Sequence, residues 1–293
     1  MHDAHWLANP GAKAGPAPWN RYFVFPRVMG EAPDLVDIDQ DGQPELLTLW
    51  DNRFGLLRPD PARPADPWRF QPVTRSADWR VYYHGTGAGD IDGDGRLDLV
   101  LNEGWWRQPA VRSDAWVEHA FRFSPGRGGA QMLVFDVDGD GENDVVTALD
   151  GHGWGLSWFE QRRVPEGTTF HEHRIMGDRS EESRFGVAFS QVHALAAGDL
   201  DGDGLTDFVT GKRWWAHGPG KDLEPEGPAV LYWFRLVRDS GQARFIPHLI
   251  DDQSGVGTQV VVRDVTGDGA PDILTASKRG TFLFINRLRL APE

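Results

Sequence analysis

The 293-residue sequence contains no cysteine. That excludes a disulfide framework, a thiolate zinc site and a thiol nucleophile, and it removes the residue that would report the redox compartment. Positive charge is also in short supply, with 30 Lys+Arg against 44 Asp+Glu and a formal net charge of −14. Nucleic acid and anionic membrane surfaces are bound through basic patches, so neither is expected as a partner. No apolar run approaches the roughly 18 residues of a membrane-spanning helix, so membrane insertion is not expected. The opening Met1-His2-Asp3-Ala4-His5-Trp6 is neither basic nor followed by an apolar stretch, and no signal peptide is visible in this chain. No phosphate loop, dinucleotide fingerprint or nucleophile motif occurs.

Glycine and proline are plentiful, at 35 and 20 residues, which suits many short strands joined by turns. The dominant feature is a nine-residue pattern, Asp-x-Asp-x-Asp-Gly-x-x-Asp, that occurs five times. Its four side-chain positions (1, 3, 5 and 9) are Asp37, Asp39, Asp41 and Glu45 in the first copy, and Asp90, Asp92, Asp94 and Asp98 in the second. The third has Asp136, Asp138, Asp140 and Asp144, and the fourth Asp199, Asp201, Asp203 and Asp207. The fifth has Asp264, Thr266, Asp268 and Asp272. Successive copies begin 53, 46, 63 and 65 residues apart.

This spacing points to a hard cation. Ca²⁺ takes about six to eight oxygen ligands, and side chains at positions 1, 3, 5 and 9 converge if glycine at position 6 lets the chain turn sharply. Position 7, which would offer only its carbonyl, is varied: Gln43, Arg96, Glu142, Leu205 and Ala270. Nineteen carboxylates at twenty positions would repel one another without a counter-charge, so about five Ca²⁺ are expected. An EF-hand shares the first half of the loop but requires Glu at position 12 and flanking helices. Here position 12 is Thr48, Leu101, Thr147, Thr210 or Thr275, and the following residues are β-formers, so an EF-hand is excluded.

Two further marks recur between the loops. One is an aromatic residue followed three positions later by histidine, at Trp116/His119, Phe170/His173 and Phe245/His248, with degenerate copies from Trp19 and Trp68. The shared position assigns these histidines to packing. The other is an aromatic cluster at Trp158-Phe159, Tyr232-Trp233-Phe234 and Phe282–Phe284. Each unit thus reads strand, acidic loop, strand, strand, strand. Repeated four-stranded units are the pattern of a β-propeller, and the predicted fold is all-β, a β-propeller of four-stranded blades with Ca-binding loops. The chain is read as one domain over 1–293, with blades near 29–75, 80–123, 129–175, 190–250 and 257–290 and an N-terminal closing strand in 1–26. Either that strand completes a five-bladed ring or the chain is part of a seven-bladed one.

The fivefold loop and these strand marks resemble the FG-GAP/VCBS repeat family, found in integrin α-subunit heads and in a bacterial subgroup, with a more distant similarity to the propeller of aldos-2-ulose dehydratase. The resemblance implies a calcium-loaded propeller and, through the dehydratase, sugar chemistry. Calcium use places the protein outside the cytoplasm, in an extracellular or periplasmic setting.

Topology places a second set of polar residues. If each acidic loop joins strands 1 and 2, the connections entering strand 1 and those between strands 2 and 3 lie at the other end of the blades. Those connections carry Glu31, Gln131, His152, Gln191, His217 and Gln259 as candidate ligand-binding residues, and His84, His193, Lys212 and Arg213 as candidate catalytic ones. The expected function is a calcium-binding propeller presenting a face for carbohydrate or protein. The alternative is a lyase or dehydratase acting on a keto-sugar, with a histidine removing a proton and Lys212, Arg213 or a metal stabilising the enolate. The pairs Trp105-Trp106 and Trp214-Trp215 both start seven residues after position 9, and are read as blade packing or as a sugar-stacking platform.

Overall fold

Short apolar runs bounded by glycine-bearing loops give a chain made almost entirely of antiparallel strands. The computed structural model describes residues 3–11, 15, 18–126, 128–165 and 167–287. Two compact units are distinguished: unit 1 contains Met1–Tyr83 and Pro109–Val117, and unit 2 contains His84–Gln108 and Glu118–Glu293.

In unit 1, β1 (Ala4–Ala8) pairs with β2 (Asn20–Phe25) as a two-stranded sheet. The closing strand expected in 1–26 is therefore engaged in a hairpin of its own. The mark read from Trp19 directly precedes β2, and within the hairpin Trp6 stacks on Tyr22 with ring centroids 4.8 Å apart. The other sheet is a meander of β3 (Met29–Val36), β4 (Glu45–Trp50), β5 (Arg53–Arg58) and β6 (Arg69–Pro72).

Unit 2 repeats that meander. Its sheets are β7 (Thr86–Gly89), β8 (Asp98–Leu101), β9 (Gly104–Arg107) and β10 (Val117–Ala120), then β11 (Leu133–Phe135), β12 (Asp144–Ala148), β13 (Leu156–Val164) and β14 (Gly167–Met176). Next come β15 (Val192–Gly198), β16 (Asp207–Lys212), β17 (Leu231–Asp239) and β18 (Gln242–Asp251). Last are β19 (Val260–Arg263), β20 (Asp272–Ser277) and β21 (Gly280–Phe284), three strands among the described residues. The fold is all-β, a β-propeller of four-stranded blades, as the repeat predicts.

In unit 2 the first strands of consecutive blades lie side by side: β7 by β11, β11 by β15 and β15 by β19. The approach is close enough that Met132 N donates to Thr86 O at 3.0 Å. Apolar clusters fill the spaces between blades. Ile91, Val100 and Trp105 meet Phe123, Met132, Val145 and Phe159; Val146, Leu156 and Trp158 meet Leu195, Phe208 and Phe234; Ala194, Leu200 and Val209 meet Val256, Val260 and Ile273. The second, third and fourth blades pack on their neighbours through these clusters, so none of them is an independent folding unit.

The recurrent histidines belong to this packing. His119 lies flat on Trp105 (ring centroids 4.0 Å, planes 7° apart), His173 on Trp158 (4.2 Å, 10°) and His248 on Trp233 (4.7 Å, 27°). In each pair a fourth-strand histidine covers a third-strand tryptophan.

Candidate functional site

Every acidic loop joins a first strand to a second, and each is built on the same backbone turn. Positions 4 and 6 have positive φ in all five copies. Glycine supplies it at nine of the ten positions, from Gly42 and Gly93 to Gly269, while Gln40 adopts φ 58° in the first loop. The turn draws the carboxylates together. In four loops, three of them present oxygens within 4.8 Å of one another: Asp37/Asp39/Asp41, Asp90/Asp92/Asp94, Asp136/Asp138/Asp144 and Asp199/Asp201/Asp203. The position-1 side chains cap the turn, as when Asp90 accepts from Gly93 N at 2.8 Å and from Gly95 N at 2.9 Å. In the first loop, Asp39 Oδ1 is buried with no hydrogen-bond partner. Clustered hard oxygens and an orphaned buried carboxylate oxygen fit a Ca²⁺ ion.

The position-9 carboxylates do something the spacing did not reveal. Asp98 accepts from Ile91 N (3.0 Å) in the loop and Gln108 N (2.9 Å) after β9. Asp144 does the same with Val137 N and Gln161 N, both at 2.8 Å. Asp207 holds Leu200 N (3.2 Å) and Leu236 N (2.8 Å), and Asp272 holds Val265 N (3.0 Å) and Asn286 N (2.9 Å). Each carboxylate therefore clamps its loop to the third strand. In the first blade the equivalent donor position is Pro59, which has no N–H. There Glu45 takes Ile38 N at 3.2 Å and the Arg58 guanidinium at 2.5 Å instead.

Burial pushes the Asp98 and Asp144 carboxyls up to about 7 and Asp207 up to about 6, against the downward pull of those backbone hydrogen bonds. A pKa raised in the fold stabilises the protein at low pH, and that contribution is lost as pH rises through the folded value. Chelator-treated protein is therefore expected to lose stability between about pH 4 and pH 7 through these three groups. Calcium binding near pH 6 should release about two protons per chain and tighten as pH rises. Melting curves in EDTA at several pH values, with pH-stat readout of a calcium titration, check this; proton uptake on binding would contradict it.

The residue across the ladder from position 9 differs between blades: Arg58, Arg107, Glu160, Arg235 and Ile285. Arg58 reaches Asp39 and Glu45 (2.5 Å each), and Arg112 also meets Asp39. Arg235 reaches Asp201 (2.6 Å) and Asp203 (3.0 Å), while Arg107 stands 3.9 Å from Asp92. The arginines of the first and fourth loops hold the oxygens a cation would use. Arg58→Gln and Arg235→Gln are each expected to raise calcium affinity of their own loop by roughly three- to tenfold, the worth of removing one partly exposed competing ion pair. Calorimetric titration of the variants tests this; unchanged affinities would mean the guanidinium moves aside without cost.

At the other end of the unit 2 blades, the chain enters β7, β11, β15 and β19 and crosses between second and third strands. His84 stands just before β7, His152 between β12 and β13, and His193 within β15. His84 and His193 are buried and His152 is half-buried. Nε2 of His193 lies 3.2 Å from Nε2 of His84 and 3.5 Å from Nε2 of His152, and Arg213 Nη1 is 2.9 Å from the same atom. The three imidazole rings meet steeply, with centroids 4.7–5.0 Å apart and planes 64–82° to one another. His217 continues the group, 4.7 Å from the His152 ring and tied to Asp222 at 3.3 Å.

The remaining sequence candidates are placed differently. Gln131 ties blades together: its Oε1 accepts from Leu195 N (2.9 Å) and its Nε2 donates to Thr258 O (3.1 Å). Lys212 is buried, and its Nζ donates to Ser190 Oγ (2.6 Å) and Leu223 O (3.2 Å), which anchors the 218–229 insertion. Burial pushes its pKa down, partly offset by Glu224. Gln191 is buried in the left-handed region (φ 64°), and its Oε1 is buried with no hydrogen-bond partner. Gln259 is exposed. Glu31 belongs to unit 1, where its N–H donates to Tyr83 O at 2.9 Å. The tryptophan pairs diverge despite equal spacing. Trp105 and Trp106 are buried in β9, whereas Trp214 and Trp215 lie half-buried in the β16–β17 connection, stacked at 4.1 Å, with Arg279 over Trp214.

A ring-building blade with an acidic loop after its first strand defines the class: this is a β-propeller of repeat type. More narrowly, residues 192–221, which contain the fourth acidic loop, match the FG-GAP repeat family. No curated protein matches the chain. Among solved structures, AofleA from Arthrobotrys oligospora matches at a TM-score of 0.47, with 12% identity over 92% of this chain and 74% of that one. A triple arginine-to-alanine mutant of the same protein gives a TM-score of 0.50 at the same identity and coverage. The Photorhabdus luminescens Tc holotoxin pore matches at 17% identity and TM-score 0.41, over 87% of this chain. The V. cholerae biofilm matrix protein Bap1 matches at 15% and 0.36, over 89%. The chain spans only 11% and 37% of the length of these last two. At such identities the likeness concerns fold alone. No helix among the described residues is long and apolar enough to cross a membrane.

Proposed function

We propose that this chain is a calcium-stabilised binding propeller, with about one Ca²⁺ in each fully acidic loop and a carbohydrate site at the opposite end of the unit 2 blades. The observation that carries the reading is the convergence of His84, His152, His193 and Arg213 from four separate segments. His119 and His248 lie against tryptophan planes, whereas these histidines face one another and a guanidinium. Backbone strain supports the assignment. Trp215, a bulky residue, has φ 55°, and Gln191 has φ 64°; such conformations cost about 1–3 kcal/mol and concentrate at ligand sites. The half-buried Trp214 and the buried, unpartnered Gln191 Oε1 add a stacking surface and an acceptor. Calcium use favours an extracellular or periplasmic setting.

The test is a carbohydrate binding screen on calcium-loaded protein. His152→Ala and Arg213→Ala, both at half-buried positions, should weaken an identified sugar at least tenfold and shift the melting temperature little. His119→Ala and His248→Ala should lower stability and leave affinity intact. Retained binding in both site variants would move the ligand elsewhere. Conversion of a keto-sugar to an ultraviolet-absorbing enone would make the protein a lyase.

A further inference from the structure

We infer that His84, His152 and His193 together bind one divalent transition-metal ion of the zinc class through their Nε2 atoms. The inference rests on the reading of this cluster as the ligand site and supplies its chemistry.

The distances carry it first. Tetrahedral Zn²⁺ with Zn–N near 2.0–2.1 Å holds its nitrogen ligands about 3.3–3.4 Å apart. The Nε2 atoms stand 3.2 and 3.5 Å from that of His193, and one donor atom from each of the three residues falls within a single 4.8 Å cluster. The orientations agree. The three rings meet at 64–82°, which lets all three Nε2 atoms face one point.

Proton arithmetic is the second argument. Arginine donates and cannot accept, so the 2.9 Å contact from Arg213 uses the lone pair of His193 Nε2. That nitrogen is then in the neutral, ligand-competent form. Yet the same lone pair also faces Nε2 of His84 and of His152. A cation at the centre of the three Nε2 atoms takes that lone pair in place of the Arg213 contact, together with those of His84 and His152.

Ligand type fixes the metal class. Imidazole suits zinc, nickel, copper and ferrous iron, whereas calcium takes oxygen. The two ends of unit 2 therefore sort metals by donor chemistry, with oxygen clusters in the loops and a nitrogen cluster among the histidines. Three imidazole nitrogens match the nitrogen-rich donor sets that hold zinc. Arg213, with five donors, is placed beside them to take an oxygen of a bound ligand.

Co²⁺ is the probe, titrated into the 293-residue chain in excess Ca²⁺ with no sugar present. One Co²⁺ per chain should bind at micromolar affinity or tighter and give intense visible ligand-field bands. Zn²⁺ should displace it. His152→Ala should weaken binding at least tenfold and alter the bands, and His84→Ala and His193→Ala should do so more strongly. Asp92→Asn, in an acidic loop, should change neither. If the buried-histidine variants fail to fold, His152→Ala still decides the matter, because His152 is half-buried on a connection. Absence of stoichiometric Co²⁺ binding, or binding and bands unchanged in His152→Ala, overturns the inference. Sugar binding that depends on His152 but persists without Co²⁺ or Zn²⁺ also overturns it and leaves the carbohydrate reading standing. Co²⁺ binding with no sugar bound does the reverse.

Discussion

Removal of calcium with EDTA should lower the melting temperature by on the order of 10–20 °C. A ligand bound only to the native state contributes RT ln(1 + [L]/Kd), about 2.7 kcal/mol per site at a hundredfold excess over Kd. Four loops each gather at least three carboxylates, so the combined effect is large even if every site is weak. In a chain of this size each kcal/mol moves the midpoint by about 2–4 °C or somewhat less. Elemental analysis should find about four tightly held Ca²⁺. The fifth loop should be weakest, because Thr266 replaces a carboxylate and its acidic residues do not form such a group. One Ca²⁺ or none, or an unchanged melt after confirmed metal loss, would overturn the calcium reading.

Gly87→Val should be the most damaging single substitution in unit 2. Gly87 lies in β7 against β11, and a Cβ there would fall on the carbonyl of Met132. That carbonyl belongs to backbone already hydrogen-bonded across the blades, through Met132 N to Thr86 O, so it cannot swing away as a side chain would. Overpacking of this kind costs about 1–3 kcal/mol, and more where only backbone can yield. The expected outcome is a loss of at least about 3 kcal/mol in denaturant unfolding, or insoluble protein. Gly220→Ala is the control. No atom lies within 4 Å of its added Cβ, and its φ is not positive, so stability should hold or rise slightly. Equal unfolding free energies for wild type and Gly87→Val would mean that β7 and β11 separate freely.

The parts of this molecule that could be read in the sequence are those encoded locally and repeatedly. The Asp-x-Asp-x-Asp-Gly spacing fixed where each first strand ends. The aromatic-to-histidine marks foretold the stacked His119, His173 and His248, because one strand register recurs in every blade. What escaped depends on distant partners. Gln131 looked like a site residue, but its amide spans to Leu195 and Thr258, and nothing in its own surroundings encodes those contacts. Lys212 looked like an enolate partner; the carbonyl and hydroxyl it serves come from the 190s and 220s. His152 was placed on the correct connection, but its meeting with His84 and His193 arises from the way three blades lie together. The backbone clamp at position 9 was hidden for a different reason: in a pattern, an aspartate that clamps backbone looks identical to one expected to ligate.

That clamp has a consequence for how such a chain can change. In the fifth blade Thr266 stands where the other four loops carry Asp, yet Asp272 still grips Val265 N, Thr266 N and Asn286 N. In the first blade Pro59 removes a donor, and a neighbouring side chain takes its place. The hairpin is thus held shut by a carboxylate whose duty is separate from those of positions 1, 3 and 5. On the calcium reading, a loop can therefore exchange its carboxylates one at a time while its hairpin stays closed.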